Sequence, residues 1–540
     1  ELTAIENDEN EIKERFYADL AFGTAGLRGI IGAGINRMNI YVVRKATQGL
    51  ADYILEQGTD KKRVAIAFDS RHMSPEFADE AARTLAANGI KAFIFESLRP
   101  TPELSFAVRY LKCAGGIMIT ASHNPKEHNG YKVYDDTGCQ LLPEAADQVV
   151  QYVNEVEDEL NIKVFSDEEA YPYMTWIGEE VDEAYYKEVM AIEVNPGMDK
   201  SDFKIVFSPQ HGTSNIAVRT CLTRLGYDLV PVLAQCAPDP DFSNTKSPNP
   251  EVPASYELAI KKAKEVDADV VVITDPDGDR LGVVAKHNGE YVLMSGNQSA
   301  AVYLEYILSQ MKEKGTLPDN AVMYNTIVTS DLGELVARSY GVDVEKTLTG
   351  FKFIGDKIRK YEQTHEKTFV FGYEESYGCV IKDFVRDKDA VQAVLTAAEA
   401  GNFYKKQGKD LVDVLNELYA KHGTFKETQI ALSKAGAAGA ARIKEIMDNL
   451  RKDAPQEIGG VKVVKVEDYG NSTCSDGTTI QLPKSNVLKY YLEDGSWIAA
   501  RPSGTEPKCK FYFSIKGSDA DDAASKTEVF HKAMMEIIGE

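Results

Sequence analysis

Residues 64–95 read VAIAFDSRHMSPEFADEAARTLAANGIKAFIF. The apolar run Val64–Phe68 predicts a buried strand, and Lys91–Phe95 predicts a second one. Between them, Pro75–Asn88 has the apolar spacing of a helix, and Ser74 is its predicted N-cap. A strand, a helix and a second strand in this order predict a parallel, doubly wound sheet.

The alternation of short Val/Ile-rich runs and helical patterns begins again twice further along the chain. The strands predicted there are Lys204–Phe207, Asp228–Pro231, Asp269–Thr274, Ala321–Asn325 and Thr368–Phe371. The tail differs, because an Ala-rich helical stretch precedes closely spaced apolar runs. We therefore predict an α/β protein with three consecutive doubly wound domains over residues 1–195, 196–300 and 301–410, and a smaller α+β domain over residues 411–540.

The composition limits the classes of partner. The 540 residues carry a formal net charge of −23, which disfavours nucleic acid and anionic membrane surfaces as partners. No apolar run approaches the roughly 20 residues of a membrane-spanning helix. The seven cysteines are scattered without a C-x-x-C pair, as is usual for reduced thiols, so we expect a cytoplasmic protein.

A polar loop follows the apolar run Gly116–Thr120 and reads TASHNP over residues 120–125. Ser122 would then lie at the carboxyl edge of a strand, where open α/β sheets bind their ligands. A serine hydroxyl is a weak nucleophile unless a base or a cation assists it, and His123 and Lys132 are near enough in sequence to do so. The alternative is an ordinary turn with serine as a cap.

Three aspartates alternate directly after a Val-rich run, at Asp275, Asp277 and Asp279. Carboxylates crowded in this way are costly without a cation, and hard oxygen ligands suit Mg²⁺. An EF-hand is excluded, because its loop needs Gly at position six and Glu at position twelve, and these positions hold Arg280 and Lys286. The remaining alternative is a solvated acidic turn.

A third loop reads GYEESYG over residues 372–378. Glu374 and Ser376 are spaced to hydrogen-bond neighbouring hydroxyl groups of a sugar, and Lys388 follows closely. A polar turn without a ligand is the alternative.

A fourth loop reads RPSGTEP over residues 501–507 and lies between two predicted strands. Its hydroxyl and backbone N–H groups could bind a phosphate, and Arg501 would add a bidentate cation. A simple hairpin turn is the alternative.

Near the start of the chain, residues 22–29 read FGTAGLRG, in which Arg28 could neutralise a phosphoryl oxygen.

The five stretches together resemble the α-D-phosphohexomutase family. The matching sequences are FGTAGLRG, TASHNP with NGYK, DPDGDR, GYEESYG and RPSGTEP, in the order of the family and spread over residues 22–507. The GYEESYG sequence and the length of the chain most resemble those of the bacterial phosphoglucomutase and phosphopentomutase branch. The resemblance implies four domains that each contribute one loop to a central cleft.

The resemblance also implies a reaction, in which glucose 1-phosphate and glucose 6-phosphate interconvert through a phosphoserine and glucose 1,6-bisphosphate. The catalytic residues it implies are Ser122, His123, Lys132 and Arg28. The Mg²⁺ ligands it implies are Asp275, Asp277, Asp279 and the phosphate on Ser122. The substrate-binding residues it implies are Thr24, Arg28, Arg280, Glu374, Ser376, Lys388, Arg501, Ser503, Gly504 and Thr505.

Several alternatives stay open. Tyr373 differs from the usual hexomutase motif at this position, so the choice of sugar is open. The enzyme could be a phosphopentomutase or a phosphomannomutase, acting on a pentose phosphate or a mannose phosphate. A phosphosugar-binding protein without catalysis is disfavoured, because Ser122 and all three aspartates are present. A Mg²⁺-dependent phosphatase could use the same loops. The partners expected are small sugar phosphates, and the chain would be a monomer or a homodimer.

Overall fold

The computed structural model describes residues 1–23, 26–434, 436–503 and 508–540. The first part of the chain builds a six-stranded sheet in the order β1-β5-β4-β2-β3-β6. Its helices and strands are α1 (Glu9–Phe16), β1 (Leu27–Ile30), α2 (Ile40–Glu56), β2 (Arg63–Phe68), α3 (Ser74–Ala87), β3 (Lys91–Phe95), α4 (Thr101–Tyr110), β4 (Gly115–Ile119), β5 (His128–Asp135), α5 (Pro143–Glu155), α6 (Asp167–Ala170), β6 (Met174–Ile177) and α7 (Glu179–Met190).

The second part builds a five-stranded sheet, with strands in the order β11-β10-β9-β7-β8. Its elements are β7 (Lys204–Ser208), α8 (Asn215–Arg224), β8 (Asp228–Pro231), α9 (Glu257–Val266), β9 (Val270–Thr274), β10 (Leu281–His287) and β11 (Glu290–Met294). Strand β9 is buried along its whole length, which explains its uninterrupted Val/Ile sequence.

The third part builds a four-stranded sheet in the order β13-β12-β14-β15. Its elements are α10 (Gly296–Glu313), β12 (Ala321–Thr326), α11 (Asp331–Ser339), β13 (Asp343–Thr347), α12 (Phe351–Thr364), β14 (Thr368–Glu374), β15 (Gly378–Val380), α13 (Ala390–Lys405) and α14 (Leu411–His422). One hydrophobic core extends from the first sheet through the third and binds these parts together.

The last part is an antiparallel sheet in the order β16-β22-β21-β20-β18-β17, with β19 beside β18. Its elements are β16 (Thr424–Ser433), α15 (Gly436–Lys452), β17 (Glu457–Ile458), β18 (Val461–Asp468), β19 (Thr473–Cys474), β20 (Leu488–Leu492), β21 (Trp497–Pro502), β22 (Lys508–Gly517) and α16 (Ala520–Ile538). It has a core of its own, and a smaller apolar cluster joins it to the third sheet. The domain boundaries given above stay predictions.

The predicted parallel pairing is present in each of the first three sheets, but one side of each sheet is antiparallel. Strand β5 runs antiparallel to β4, β10 to β9 and β15 to β14. These are the strands that leave the predicted chemical loops. A few residues can connect antiparallel neighbours, whereas a parallel crossover needs a dozen or more, so the short loops themselves require this direction.

The capping prediction for α3 is wrong. The helix begins at Ser74, and its N-cap is Met73, which has a left-handed backbone with φ 64°. The Ser74 hydroxyl instead donates to Asp69 Oδ1 at 2.7 Å, because that carboxylate is buried and needs donors.

Across the described ranges, we find no helix with the length and apolar character needed to cross a bilayer.

Candidate active site in the interdomain cleft

Ser122 lies in the loop that joins β4 to β5, and only 3% of it is exposed. Its backbone is left-handed, with φ 54°, and its N–H donates to Thr120 Oγ1 at 2.7 Å. The hydroxyl donates to Asp275 Oδ2 at 2.9 Å, and His123 Nδ1 lies 3.2 Å from the same oxygen. The serine of the first domain is therefore in direct contact with the aspartate loop of the second.

Arg71 holds this loop in place, although it belongs to none of the predicted motifs. Its guanidinium donates to the carbonyl oxygens of Ser122 and Pro125, at 2.6 and 2.8 Å, and to those of Asn124 and His128. Asp69 lies 3.3 Å away as its buried counter-ion. The sequence signal that could have indicated Arg71 is the charged pair Asp69 and Arg71 directly after an apolar strand. Burying such charges is costly, so a buried pair at this place suggests a structural or functional role.

The three aspartates lie together, as predicted. One carboxylate oxygen of each is within 4.8 Å of the others, and all three residues are buried. Asp275 Oδ1 accepts from the backbone N–H groups of Asp279 and Arg280 at 3.1 and 3.0 Å, which folds the loop around it. Asp277 Oδ1 and Asp279 Oδ1 are buried oxygens without a hydrogen-bond donor among the described residues.

The carboxylates differ in their electrostatics. Burial, together with the charges of Asp277 and Asp279, raises the pKa of Asp275 well above its usual range. Burial also acts on Asp277, but the Lys132 ammonium outweighs it and lowers the pKa of that carboxyl. Crowded acids with orphaned oxygens form a site suited to a hard divalent cation.

Two lysines neutralise part of this charge. Lys132 Nζ donates to Asp277 Oδ2 at 2.7 Å and lies 3.6 Å from Asp279 Oδ2. Lys388 Nζ lies 3.2 Å from Asp279 Oδ2 and 3.1 Å from Asp387 Oδ1. Both ammonium groups thus contact the rim of the carboxylate cluster, and Lys388 does so from the third domain.

Arg28, His123 and Arg280 lie around the opening toward the cleft. Desolvation within the cleft lowers the pKa of the Arg28 guanidinium, although its side chain is exposed to the cleft itself. Burial and the nearby charges of Arg280 and Arg28 hold the pKa of His123 well below its usual range, so the ring is neutral at pH 7. Arg280 Nη1 donates to Glu251 Oε1 at 2.7 Å. Glu251, like Arg71, belongs to none of the predicted motifs.

The third loop also lines the cleft and adjoins the aspartate loop, since the Leu281 backbone N–H donates to the Tyr377 carbonyl oxygen at 2.9 Å. Glu374 Oε1 accepts from the backbone N–H of Gly350 at 2.8 Å, which fixes the carboxylate at the end of β14. Burial and the neighbouring Glu374 raise the pKa of Glu375 to about 7. Ser376 faces the cleft on the same loop.

The fourth loop is described in part. Arg501 lies at the cleft, and its Nη1 donates to the Tyr512 hydroxyl at 3.4 Å. Ser503 is half-buried beside it. The predicted ligands Gly504 and Thr505 lie outside the described residues, as does Thr24 of the first stretch.

A single cleft of about 1040 Å³ connects these groups. Six of the predicted site residues line it: Arg28, His123, Arg280, Glu374, Ser376 and Arg501. Ser122 and the aspartates are buried beneath one wall of it. The arrangement thus combines a buried serine, Ser122, that contacts an acidic cluster with an arginine, Arg501, at a separate place on the cleft.

A second cluster of possible metal ligands occurs at His287, Asp410 and Asp413. Its carboxylates already accept hydrogen bonds, because Asp410 and Asp413 form the capping box of α14. His287 Nδ1 lies 2.9 Å from Asp410 Oδ2. Helix capping thus accounts for this cluster.

Four family models match the chain in succession. They are described as phosphoglucomutase/phosphomannomutase α/β/α domain I over residues 19–160, domain II over 183–289, domain III over 295–422, and the C-terminal domain over 441–532. Together these matches cover most of the 540 residues.

Curated relatives agree with these matches. A phosphoglucomutase of Staphylococcus epidermidis is 40% identical over 524 residues, which cover 96% of this chain and 94% of the relative. A phosphoglucomutase of Staphylococcus aureus is 39% identical over 523 residues, with 96% and 93% covered. A solved structure of parafusin, a phosphoglucomutase from Paramecium, is 20% identical with a TM-score of 0.72 over 97% of this chain and 96% of that one, which shows the shared fold. The chain therefore belongs to the phosphoglucomutase/phosphomannomutase family, and it is an intramolecular phosphotransferase of the isomerase class.

Proposed function

We propose that the chain interconverts glucose 1-phosphate and glucose 6-phosphate, with Ser122 as the carrier of the transferred phosphoryl group. The observation that carries the proposal is the 2.9 Å contact between Ser122 Oγ and Asp275 Oδ2. It joins the serine loop of one domain to the acidic loop of the next, in a protein whose relatives are named phosphoglucomutase.

We propose Mg²⁺ as the cation of the acidic cluster. The orphaned oxygens of Asp277 and Asp279 support this, because a hard cation would satisfy them. Asp275 and a phosphate on Ser122 would complete the ligand set. When bound, the cation supplies charge neutralisation for the oxygens of the transferring phosphoryl group.

Neighbouring side chains would accept the proton and stabilise the negative charge that develops. His123, neutral and 3.2 Å from Ser122 Oγ, is placed to accept the hydroxyl proton. Lys132 and Arg28 would stabilise the negative charge that develops on the phosphoryl oxygens. Burial of Ser122 would keep water away from its phosphate, which would otherwise be hydrolysed.

The two ends of the substrate need separate sites. A phosphate at Ser122 and a second phosphate at Arg501 and Ser503 would hold glucose 1,6-bisphosphate across the cleft, with Gly504 and Thr505 as further proposed ligands. Glu374 and Ser376 would bind the sugar hydroxyls. Arg280 and Lys388 would contact the substrate near the cation, and Thr24 would do so beside Arg28. Turning the bisphosphate over then returns a phosphate to Ser122.

Phosphopentomutase and phosphomannomutase activities are the alternatives within the family. The names of the relatives support glucose phosphate over both.

A cytoplasmic location is proposed from the cysteines, since all seven are described and all are free thiols. We propose a monomer or a homodimer.

Phosphorus NMR with glucose 1-phosphate, Mg²⁺ and a trace of glucose 1,6-bisphosphate tests the proposal. We expect glucose 6-phosphate to accumulate, and Ser122→Ala to abolish this. The matched control is Ser496→Ala, which removes a buried hydroxyl in the turn between β20 and β21, where it accepts from the Lys516 backbone N–H at 2.9 Å. Release of inorganic phosphate without an isomer would contradict a mutase, and faster turnover of ribose 1-phosphate or mannose 1-phosphate would contradict the choice of sugar.

A further inference from the structure

A turn of the second domain reaches the serine loop of the first domain at a place separate from the aspartate loop. The turn comprises Asp239–Ser243 and lies between β8 and α9. The Asp239 carboxylate organises it, because its two oxygens accept from the backbone N–H groups of Asp241 and Ser243 at 3.0 and 2.9 Å. Aspartate side chains fix turns in this way by binding backbone groups that follow them.

Phe242, in this turn, is buried where no hydrophobic core accounts for it. Only 4% of the residue is exposed, yet within the described ranges it belongs to none of the apolar clusters that form the cores of the domains. Its backbone is left-handed, with φ 50°, which is unfavourable for a bulky residue. A buried ring in a strained turn indicates a specific contact that stabilises it there.

The contact is with Arg71 of the first domain. The Arg71 guanidinium carbon lies 5.1 Å from the centre of the Phe242 ring, and the arginine side chain is fully buried. A cation over the face of an aromatic ring is attracted by the electron density of that face. The same guanidinium donates to the carbonyl oxygens of Ser122 and Pro125. Phe242 thus covers, from another domain, the group that holds the serine loop.

Asp241 adds a second, weaker link between the two domains. Its Oδ1 accepts from Lys126 Nζ at 3.0 Å and lies 3.2 Å from His72 Nε2. Lys126 directly follows the TASHNP stretch, and His72 directly follows Arg71. The side chains of Asp241, Lys126 and His72 are each about half exposed, and ion pairs at such positions contribute little. The buried ring is therefore the stronger of the two contacts.

We propose that Phe242 is a positioning residue of the second domain for phosphoryl transfer at Ser122. Its ring keeps water from the Arg71 guanidinium, so that water does not compete for the donors that bind the serine loop. The second domain then fixes the serine twice, at its hydroxyl through Asp275 and at its backbone through Phe242 and Arg71. The proposal rests on the proposed function for the reaction whose rate is affected.

Hydrogen exchange, measured by mass spectrometry on the native chain and on Phe242→Leu, tests the positioning without requiring turnover. Leucine keeps an apolar side chain in the turn and removes the ring face. We expect backbone N–H groups in peptides that span residues 120–128 to exchange about tenfold faster in the variant, because the loop would open more often. Peptides from α5 and β6 of the same domain should exchange at the native rate.

Phe203→Leu is the matched control. Phe203 is 3% exposed, just before β7 of the second domain, and it packs in the large core that extends from the first sheet through the third. The substitution removes the same ring from an equally buried place. It should lower the unfolding temperature at least as much as Phe242→Leu and leave the exchange of residues 120–128 unchanged.

Kinetics supply a second measurement if the chain is active as proposed. Phe242→Leu should lower kcat for glucose 1-phosphate about tenfold and leave KM nearly unchanged, because the serine is displaced while the proposed sugar and distal phosphate ligands are not. Phosphorus NMR should show more inorganic phosphate for each glucose 6-phosphate formed, since a loosened loop would admit water to the phosphoserine. Phe203→Leu should change neither quantity.

An exchange rate at residues 120–128 within about twofold of the native value in Phe242→Leu overturns the proposal. Faster exchange with an unchanged kcat also overturns it, because the ring would then hold the loop without positioning the serine. Equal effects in Phe203→Leu would mean that both rings act through stability alone. A native chain that fails to isomerise glucose 1-phosphate contradicts the proposed function instead, and the exchange comparison still decides whether Phe242 holds the serine loop.

Discussion

Arg71 Nη2 donates to the backbone carbonyl oxygen of Ser122 at 2.6 Å, and neither side of this contact is exposed. The same guanidinium binds three other carbonyl oxygens of the loop, and it lies 5.1 Å from the centre of the Phe242 ring. Ser122 has a left-handed backbone, which costs a non-glycine residue about 1 kcal/mol or more. The arginine therefore holds the serine in a conformation that the loop would not prefer by itself.

Arg71→Lys should lower kcat about a hundredfold with little change in KM, because an ammonium cannot hold four carbonyl oxygens and the serine would shift by a fraction of an ångström. Steady-state kinetics with glucose 1-phosphate measure this. Intact mass would show a smaller phosphorylated fraction at Ser122.

Arg63→Gln is the control for this change, because Arg63 also donates to a backbone carbonyl, that of Lys112, at the other end of β2. It should leave kcat unchanged. Equal losses in both variants would mean that Arg71 contributes to folding alone. Arg71→Gln is expected to be less stable by about 3–5 kcal/mol, since Asp69 would stay buried without its counter-ion.

Asp279→Asn should raise the Mg²⁺ concentration needed for half-maximal activity about tenfold to a hundredfold, because it removes one of three charged oxygen ligands. EDTA should abolish the activity of the native chain, and Mg²⁺ should restore it. Activity measured against free Mg²⁺ tests both expectations.

Asp413→Asn provides the comparison, since it alters the other acidic cluster, at the capping box of α14. It should lower thermal stability slightly and leave the Mg²⁺ dependence unchanged. An equal shift in the two variants would argue against a cation at Asp275, Asp277 and Asp279.

Lys489 should make stability depend on pH. It is fully buried between the third and fourth domains, where its ammonium donates to the Ile327 carbonyl oxygen at 2.8 Å and lies over the Trp497 ring. Burial, with help from the charge of Lys346, lowers the pKa of Lys489 to about 7. Between about pH 7 and pH 10 the unfolded chain binds a proton that the folded chain has released, so this residue makes stability rise with pH.

Thermal unfolding of the native chain and of Lys489→Met, compared at pH 7 and pH 9.5, measures the effect. The native chain should gain stability relative to Lys489→Met as pH rises. Lys462→Met, at an exposed position on β18, should show a constant difference from the native chain. A constant difference for Lys489→Met as well would contradict the lowered pKa.

Ser376→Ala should lower kcat/KM for glucose 1-phosphate about tenfold, because a sugar hydroxyl would lose its hydrogen-bond partner in the cleft. Ser485→Ala is the control, since Ser485 also lines the cleft but lies outside the GYEESYG loop. Similar losses in the two variants would mean that Ser376 does not bind the sugar.

The strands that carry the candidate site were predictable because each is a short apolar run bounded by polar turns. Predicted Lys91–Phe95 and Asp228–Pro231 agree with β3 and β8 at both ends. The direction of the strand that follows each of the first three chemical loops was not predicted. This direction depends on the length of the chemical loop that connects the two strands, and apolar periodicity does not encode strand direction.

The sequence by itself determined the four loops, their order and the residue types that suit a phosphoserine, a divalent cation and two phosphates. Only the tertiary structure decided which charges meet. Arg71, Glu251 and Lys510 belong to no motif, yet each contacts or faces a predicted site residue from a separate strand or loop. The reason is physical, because a motif records neighbours along the chain, whereas electrostatic partners are chosen by distance and burial in space.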